Sequence, residues 1–134
     1  MGLDNGIVLK IDEFPKDFYT EKSDFGTSSY DEKAKELNIA YWRKCWGIRE
    51  AILNIVGRNN LDEFEYKIEW DDVPAIIRAL KNFLNEKYWN DSADSIWEYE
   101  EYIDTMIDII LNLKWLEKYL KDHKDAECYF YDSY

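Results

Sequence analysis

Histidine is almost missing from this sequence, and proline, cysteine and glycine are scarce: the 134 residues hold one His, two Pro, two Cys and five Gly. With His123 alone, no two-histidine metal motif can be assembled within the chain, zincin-type sites included. Cys45 and Cys128 lie far apart without a CxxC pairing, so two reduced, buried thiols are expected and a disulfide is not favoured. Positive charge is also short. Seventeen Lys plus Arg stand against 29 Asp plus Glu, a formal net charge of -12, which repels nucleic acid backbone at long range, so direct DNA or RNA binding is not expected. No apolar run reaches the roughly 20 residues of a membrane span, since Met106 to Leu116 is shorter and carries Asp108 and Lys114. Gly6 stands where a myristoylation signal wants Ser or Thr. No membrane association is expected, and the location read from these features is cytoplasmic. No GxSxG elbow, Walker loop or GxGxxG occurs, which leaves a phosphate-cradling loop or a familiar serine hydrolase without support.

What is present is apolar and aromatic. Hydrophobic residues make up 46% of the chain and aromatic ones 17%, more sticky surface than a disordered polymer leaves in water. A single domain, residues 1–134, is expected, long enough to bury roughly two-thirds of its unfolded surface. Acidic charge keeps such a chain soluble, and that is its commonest explanation. Imitation of nucleic acid and docking on a basic partner are the functional alternatives.

Gly6 to Ile11, short and β-branched, predicts a first strand. Asp12 to Ser28 has no period, is punctuated by Pro15 and Gly26, and carries Phe14, Phe18, Tyr19 and Phe25. Loops of this length in small domains are usually functional or mobile. Ser29 with Glu32 fits a capping box, and Ala34, Leu37, Tyr41, Cys45, Ile48, Ile52 and Ile55 then trace one face of a long helix closed by Gly57. Strict alternation predicts a strand from Phe64 to Trp70. A helix follows, capped by Asp71 or Asp72, with Pro74 in its first turn and a core face of Ile76, Ile77, Leu80, Phe83 and Leu84. After a polar break at Asn90 to Asp94, residues 96–121 predict the longest helix. Its stripe of Ile96, Tyr99, Ile103, Met106, Ile110 and Leu113 is widened by Ile107, Ile109, Leu116 and Leu120. Glu127 to Tyr131 reads as a closing strand. The order β-α-β-α-α-β predicts an α+β fold: a small, mainly antiparallel three-stranded sheet with three helices.

Candidate chemistry is thin. His123 follows a helix end among charged neighbours and reads as a solvated residue. Acidic doublets such as Asp71-Asp72 point in different directions on helices and strands alike, so no metal site and no cofactor is expected. Trp42, Arg43 and Lys44 are the better candidates, Arg43 and Lys44 for an anion and Trp42 or Trp46 for stacking, with Gly47 a turn later allowing close approach. The structural alternative pairs Arg43 with a carboxylate of the terminal strand or the loop, and has Gly47 clear space for a Trp.

Met1-Gly2-Leu3-Asp4, Ala40-Tyr41-Trp42-Arg43-Lys44 with Ile48, and Tyr129-Phe130-Tyr131-Asp132-Ser133 together resemble a group of small uncharacterised phage and bacterial proteins. In that group an MGLD start, an AYWRK-like helix and a tyrosine-serine-rich end recur. The chain departs from the pattern with Trp46 where a small polar residue is usual and Tyr134 where Trp is commoner. The group has no activity to transfer. The resemblance implies a viral or mobile-element setting and one shared location for Asp4, Trp42, Arg43 and Tyr131.

Three function classes remain. The first is a non-catalytic interaction protein that docks on a host protein through Phe14, Phe18, Tyr19 and Phe25, since aromatic side chains favour binding hot spots. The second is a small-molecule or nucleotide binder, or an unorthodox enzyme, built around Arg43 with Asp4, Trp42, Lys44 and Tyr131. The third is a self-associating module, a homodimer through the 96–121 helix.

Overall fold

The computed structural model describes residues 4–15, 18, 29–43, 45–62, 64–84 and 99–133. Its elements run β1 (Asp4–Lys10), β2 (Ser29–Asp31), β3 (Glu36–Arg43), α1 (Trp46–Val56) with one 3-10 turn (Gly57–Asn59), β4 (Glu65–Lys67), α2 (Val73–Leu84), α3 (Tyr99–Asp122) and β5 (Cys128–Ser133). Among the described residues the fold is α+β with an antiparallel sheet and three α-helices. The sheet has five strands in the order β2-β3-β1-β5-β4, not three.

β1 is the central strand because its apolar segment is paired on both edges, with β3 and with β5. Alternation sends Asn5, Ile7 and Leu9 inward, where Cys128, Phe130 and Asp132 of β5 and Leu37, Ala40 and Trp42 of β3 join them. The three helices lay their apolar sides on this inner face and form one core with it: Ile48, Ile52 and Val56 from α1, Val73, Ile76, Ile77 and Leu80 from α2, and Met106, Ile109, Ile110, Leu113, Leu116 and Leu120 from α3.

The long helix expected to start near Ser29 is instead a hairpin followed by a shorter helix. Asp31 Oδ1 accepts from the backbone N–H of Lys33 (3.0 Å) and Ala34 (3.2 Å), which turns the chain, and Lys35 takes a left-handed conformation at φ 56°. Residues 36–43 then pair with β1. Their period of two is broken once: Ala40 faces Ile7 and Asn38 faces Val8, so Ile39 is an extra, bulged residue. The Ile39 carbonyl accepts instead from Asn112 Nδ2 of α3 at 3.1 Å. That bond gives the buried Asn112 its structural reason.

Smaller departures have local causes. Gly57 is right-handed, φ -56°, because α1 runs on into the 3-10 turn rather than ending in a left-handed cap. Gly47 faces the Phe83 ring of α2, not a Trp. The 64–70 strand shrinks to Glu65–Lys67 because Asp72 Oδ2 accepts the Glu69 N–H at 2.9 Å and closes a turn into α2. Ile107, expected in the α3 stripe, is exposed, as is Leu111. Cys45 and Cys128 are free and buried, and burial pushes the Cys45 thiol up to about 12 and raises that of Cys128 as well.

Among the described residues, Gly6 is the one glycine whose missing side chain the sheet requires. It is opposite Tyr131, and a Cβ there would stand 2.5 Å from that ring. Gly6→Ala is expected to lower stability by about 1–3 kcal/mol through overpacking. Urea denaturation of Gly6→Ala, Tyr131→Ala and the double variant tests this: the two losses should couple, and additivity would refute the contact.

Candidate functional site

Two surfaces gather polar and aromatic side chains. One is the outer face of the sheet, where alternation places Asp4, Gly6, Val8 and Lys10 of β1, Glu36, Asn38, Tyr41 and Arg43 of β3, Tyr129 and Tyr131 of β5, and Glu65 and Lys67 of β4. The Tyr41 hydroxyl donates to Asp4 Oδ1 at 2.5 Å, and the Tyr129 hydroxyl to Glu36 Oε2 at 2.7 Å. Glu36 also receives Lys10 Nζ at 2.8 Å. Partial burial would raise the Glu36 carboxyl, but Lys10 and Tyr129 outweigh it and hold the group below its usual range. Burial, then Asp4, raises the Tyr41 phenol; burial, then Glu36, raises that of Tyr129; burial, then Asp4, pushes Tyr131 up to about 12.

Of the residues that the resemblance grouped, Asp4 and Arg43 are register partners, and Tyr131 lies across Gly6 two positions along β1 on the same face. Trp42 points the other way, fully buried, with Nε1 donating to Met106 Sδ at 3.5 Å. Arg43 is exposed at the end of β3, and Lys44 lies outside the described residues. The arginine that meets a carboxylate of the terminal strand is Arg49. Its Nε and Nη2 donate to Asp132 Oδ1 and Oδ2, each at 2.8 Å, and Asn5 Nδ2 donates to Oδ1 at 2.8 Å. The Asp132 side chain is 3% exposed. Sequence reasoning missed this group, although an acid in register with the inward Cys128 and Phe130 signals a buried cation.

The second surface lies at the C-terminal end of α3. Trp115, Tyr119 and His123, spaced by four, form a ladder: Trp115 and Tyr119 stack at 5.1 Å and 18°, Tyr119 and His123 at 4.2 Å and 17°. Phe18 meets Trp115 edge-on at 4.9 Å, and Phe14 meets Phe18 at 5.9 Å and Tyr30 at 6.2 Å. Among the residues expected to form a loop patch, Phe18 is thus buried, Phe14 is 41% exposed, and Tyr19 and Phe25 lie outside the described residues. Two concavities flank the ladder and share Pro15, Tyr119 and His123 as walls. The larger, of about 670 Å³, adds Lys10, Ile11, Asp12, Glu13, Lys35, Asp125, Ala126 and Glu127. The smaller, of about 200 Å³, adds Trp115, Lys118 and Asp122. A third, of about 560 Å³, opens between Glu36, Leu61, Glu65 and Tyr129. Arg43 lines none of the three.

Among the described residues no group of three or more His, Cys, Asp or Glu is placed to hold a metal ion, and no helix is long and apolar enough to cross a membrane. Fold and site define an α+β domain with helices on one face of an antiparallel sheet and a ring-lined, carboxylate-rimmed surface at the end of its last helix. Compared with family models, with curated proteins and with solved structures, the chain matches none.

Two outcomes are expected. Arg49→Ala leaves the buried Asp132 carboxylate without its guanidinium and should cost about 3–5 kcal/mol. In chemical denaturation, Asp132→Asn in that background should recover part of the loss, and no recovery would refute the pairing. The raised phenols bind protons more tightly in the folded chain than the ordinary 10.0 allows. Their contribution is therefore complete below about pH 10, and stability should fall as pH rises above it. Urea midpoints between about pH 9 and about pH 11.5 test this, with a shallower fall in Tyr129→Phe.

Proposed function

We propose that this chain is a phage- or mobile-element-type accessory protein that acts without catalysis, by binding a partner protein, and that a host factor held in this way is interfered with. The viral setting is supported by the resemblance at both ends of the chain and in the 40–44 segment. The binding reading is carried by one observation: ring contacts run unbroken from exposed Phe14 through Phe18, Trp115 and Tyr119 to exposed His123, beside two concavities. Rings already held by their neighbours lose little freedom when a partner covers them, so their contact area converts efficiently into affinity.

Affinity capture from bacterial lysate with mass-spectrometric readout tests the reading. Wild type and Arg43→Ala, which changes a residue outside the concavities, should retain the same stoichiometric protein. Phe14→Ala/His123→Ala, confined to exposed rings, should lose it by about tenfold or more. Capture lost with Arg43→Ala and kept by the ring variant would overturn this assignment.

A further inference from the structure

We infer that the larger concavity beside His123 receives an arginine side chain of the bound partner, its guanidinium stacked on the ring ladder and held by the rim carboxylates. This inference rests on the partner-binding reading and names the chemistry at that site. Carboxylates alone would not define a site; the concavity and the ring wall beside them do. Asp12, Glu13, Asp125 and Glu127 line it against Lys10 and Lys35, and Lys10 is already engaged at 2.8 Å by Glu36, which lies outside the lining. The local field therefore favours a cation and rejects phosphate.

Ring geometry narrows the cation. Tyr119 is stacked between Trp115 and His123, so the ring face that the ladder leaves at this end is the outer one of His123, which lines the space. A planar guanidinium stacks on such a face while its edge donates to carboxylates in pairs, which the compact, strongly hydrated ammonium of lysine does not do. Asp12 and Asp125 stand close enough to the Tyr119 phenol to raise it, after burial, so a stacked cation and these acids meet within one region. About 670 Å³ is ample for one side chain with its flanking backbone.

The test is a titration of the isotope-labelled full chain, followed by NMR, with blocked Gly-Arg-Gly-Arg-Gly and with its lysine and citrulline counterparts. The arginine peptide should shift Tyr119, His123 and Asp125 together and bind more tightly than the lysine peptide. Asp12→Asn/Asp125→Asn should weaken it by roughly fivefold or more, as expected for lost charge-assisted contacts. Equal binding of the citrulline peptide, shifts scattered over the acidic surface, or no shift at all would overturn the inference. The carboxylate variant is carried through the capture experiment as well. Partner retained there at wild-type level overturns the arginine inference alone, whereas partner retained by Phe14→Ala/His123→Ala overturns the binding reading beneath it.

Discussion

Asp132 points inward from the last strand, and a carboxylate in that position is tenable only with a cation and further donors around it. Arg49 supplies both nitrogens of one edge of its guanidinium, and Asn5 adds a third hydrogen bond. The three residues belong to β5, α1 and β1, so a single charge ties the first helix to the two strands at the centre of the sheet. The same group fixes register. A slip of one residue in β5 would turn Asp132 to the outer face and drive the Tyr131 ring inward, and the ring would lose the gap that Gly6 leaves for it.

A second constraint carries this order to the far end of the molecule. The bulge in β3 frees the Ile39 carbonyl, Asn112 satisfies it, and Trp42 sends its indole N–H to Met106. These two polar contacts, made at Met106 and Asn112, about one and two-thirds turns apart on α3, set the rotation of the helix about its axis. With that rotation fixed, Trp115 and Tyr119, three and seven positions beyond Asn112, are brought to the side where Phe18 and Pro15 close in. An irregularity in one strand thereby positions a ring ladder on a helix.

Much of the architecture was legible in the residues: fold class, antiparallel pairing, three helices among the described residues, the first and last strands, the core face of α2, and that of α3 from Met106 to Leu120 except Ile107; Ile96 and the side chains of Tyr99 and Ile103 lie outside what is described. The 36–43 segment was not, because Leu37, Tyr41 and Cys45 have helical spacing and the bulge at Ile39 hides the alternation of Leu37, Ala40 and Trp42. That misreading exchanged the environments of Tyr41 and Trp42, and it placed Arg43 where Arg49 proved to matter. β2 and β4, three residues each, are too short to carry a pattern of their own: β2 exists as the short arm of the hairpin with β3, and β4 through pairing with the sequence-distant β5. At the candidate site, Phe14 and Phe18 stood out by type. His123 was legible as a solvated residue at a helix end, but the four-residue spacing that stacks it on Tyr119 lies off the main apolar stripe and was overlooked.

The two polar surfaces differ in what a ligand would have to displace. On the outer face of the sheet the phenols of Tyr41 and Tyr129 and the ammonium of Lys10 already spend their hydrogen bonds on Asp4 and Glu36. A ligand there must break an internal bond for many of those it makes, which leaves little net affinity. At the end of α3 the rings satisfy one another through dispersion and quadrupole contacts that survive when an outer face is covered. Covering them removes apolar area from water without breaking a hydrogen bond between them. The side chains held most firmly by hydrogen bonds are therefore the poorer binding surface, and the stacked rings at the helix end are the better one.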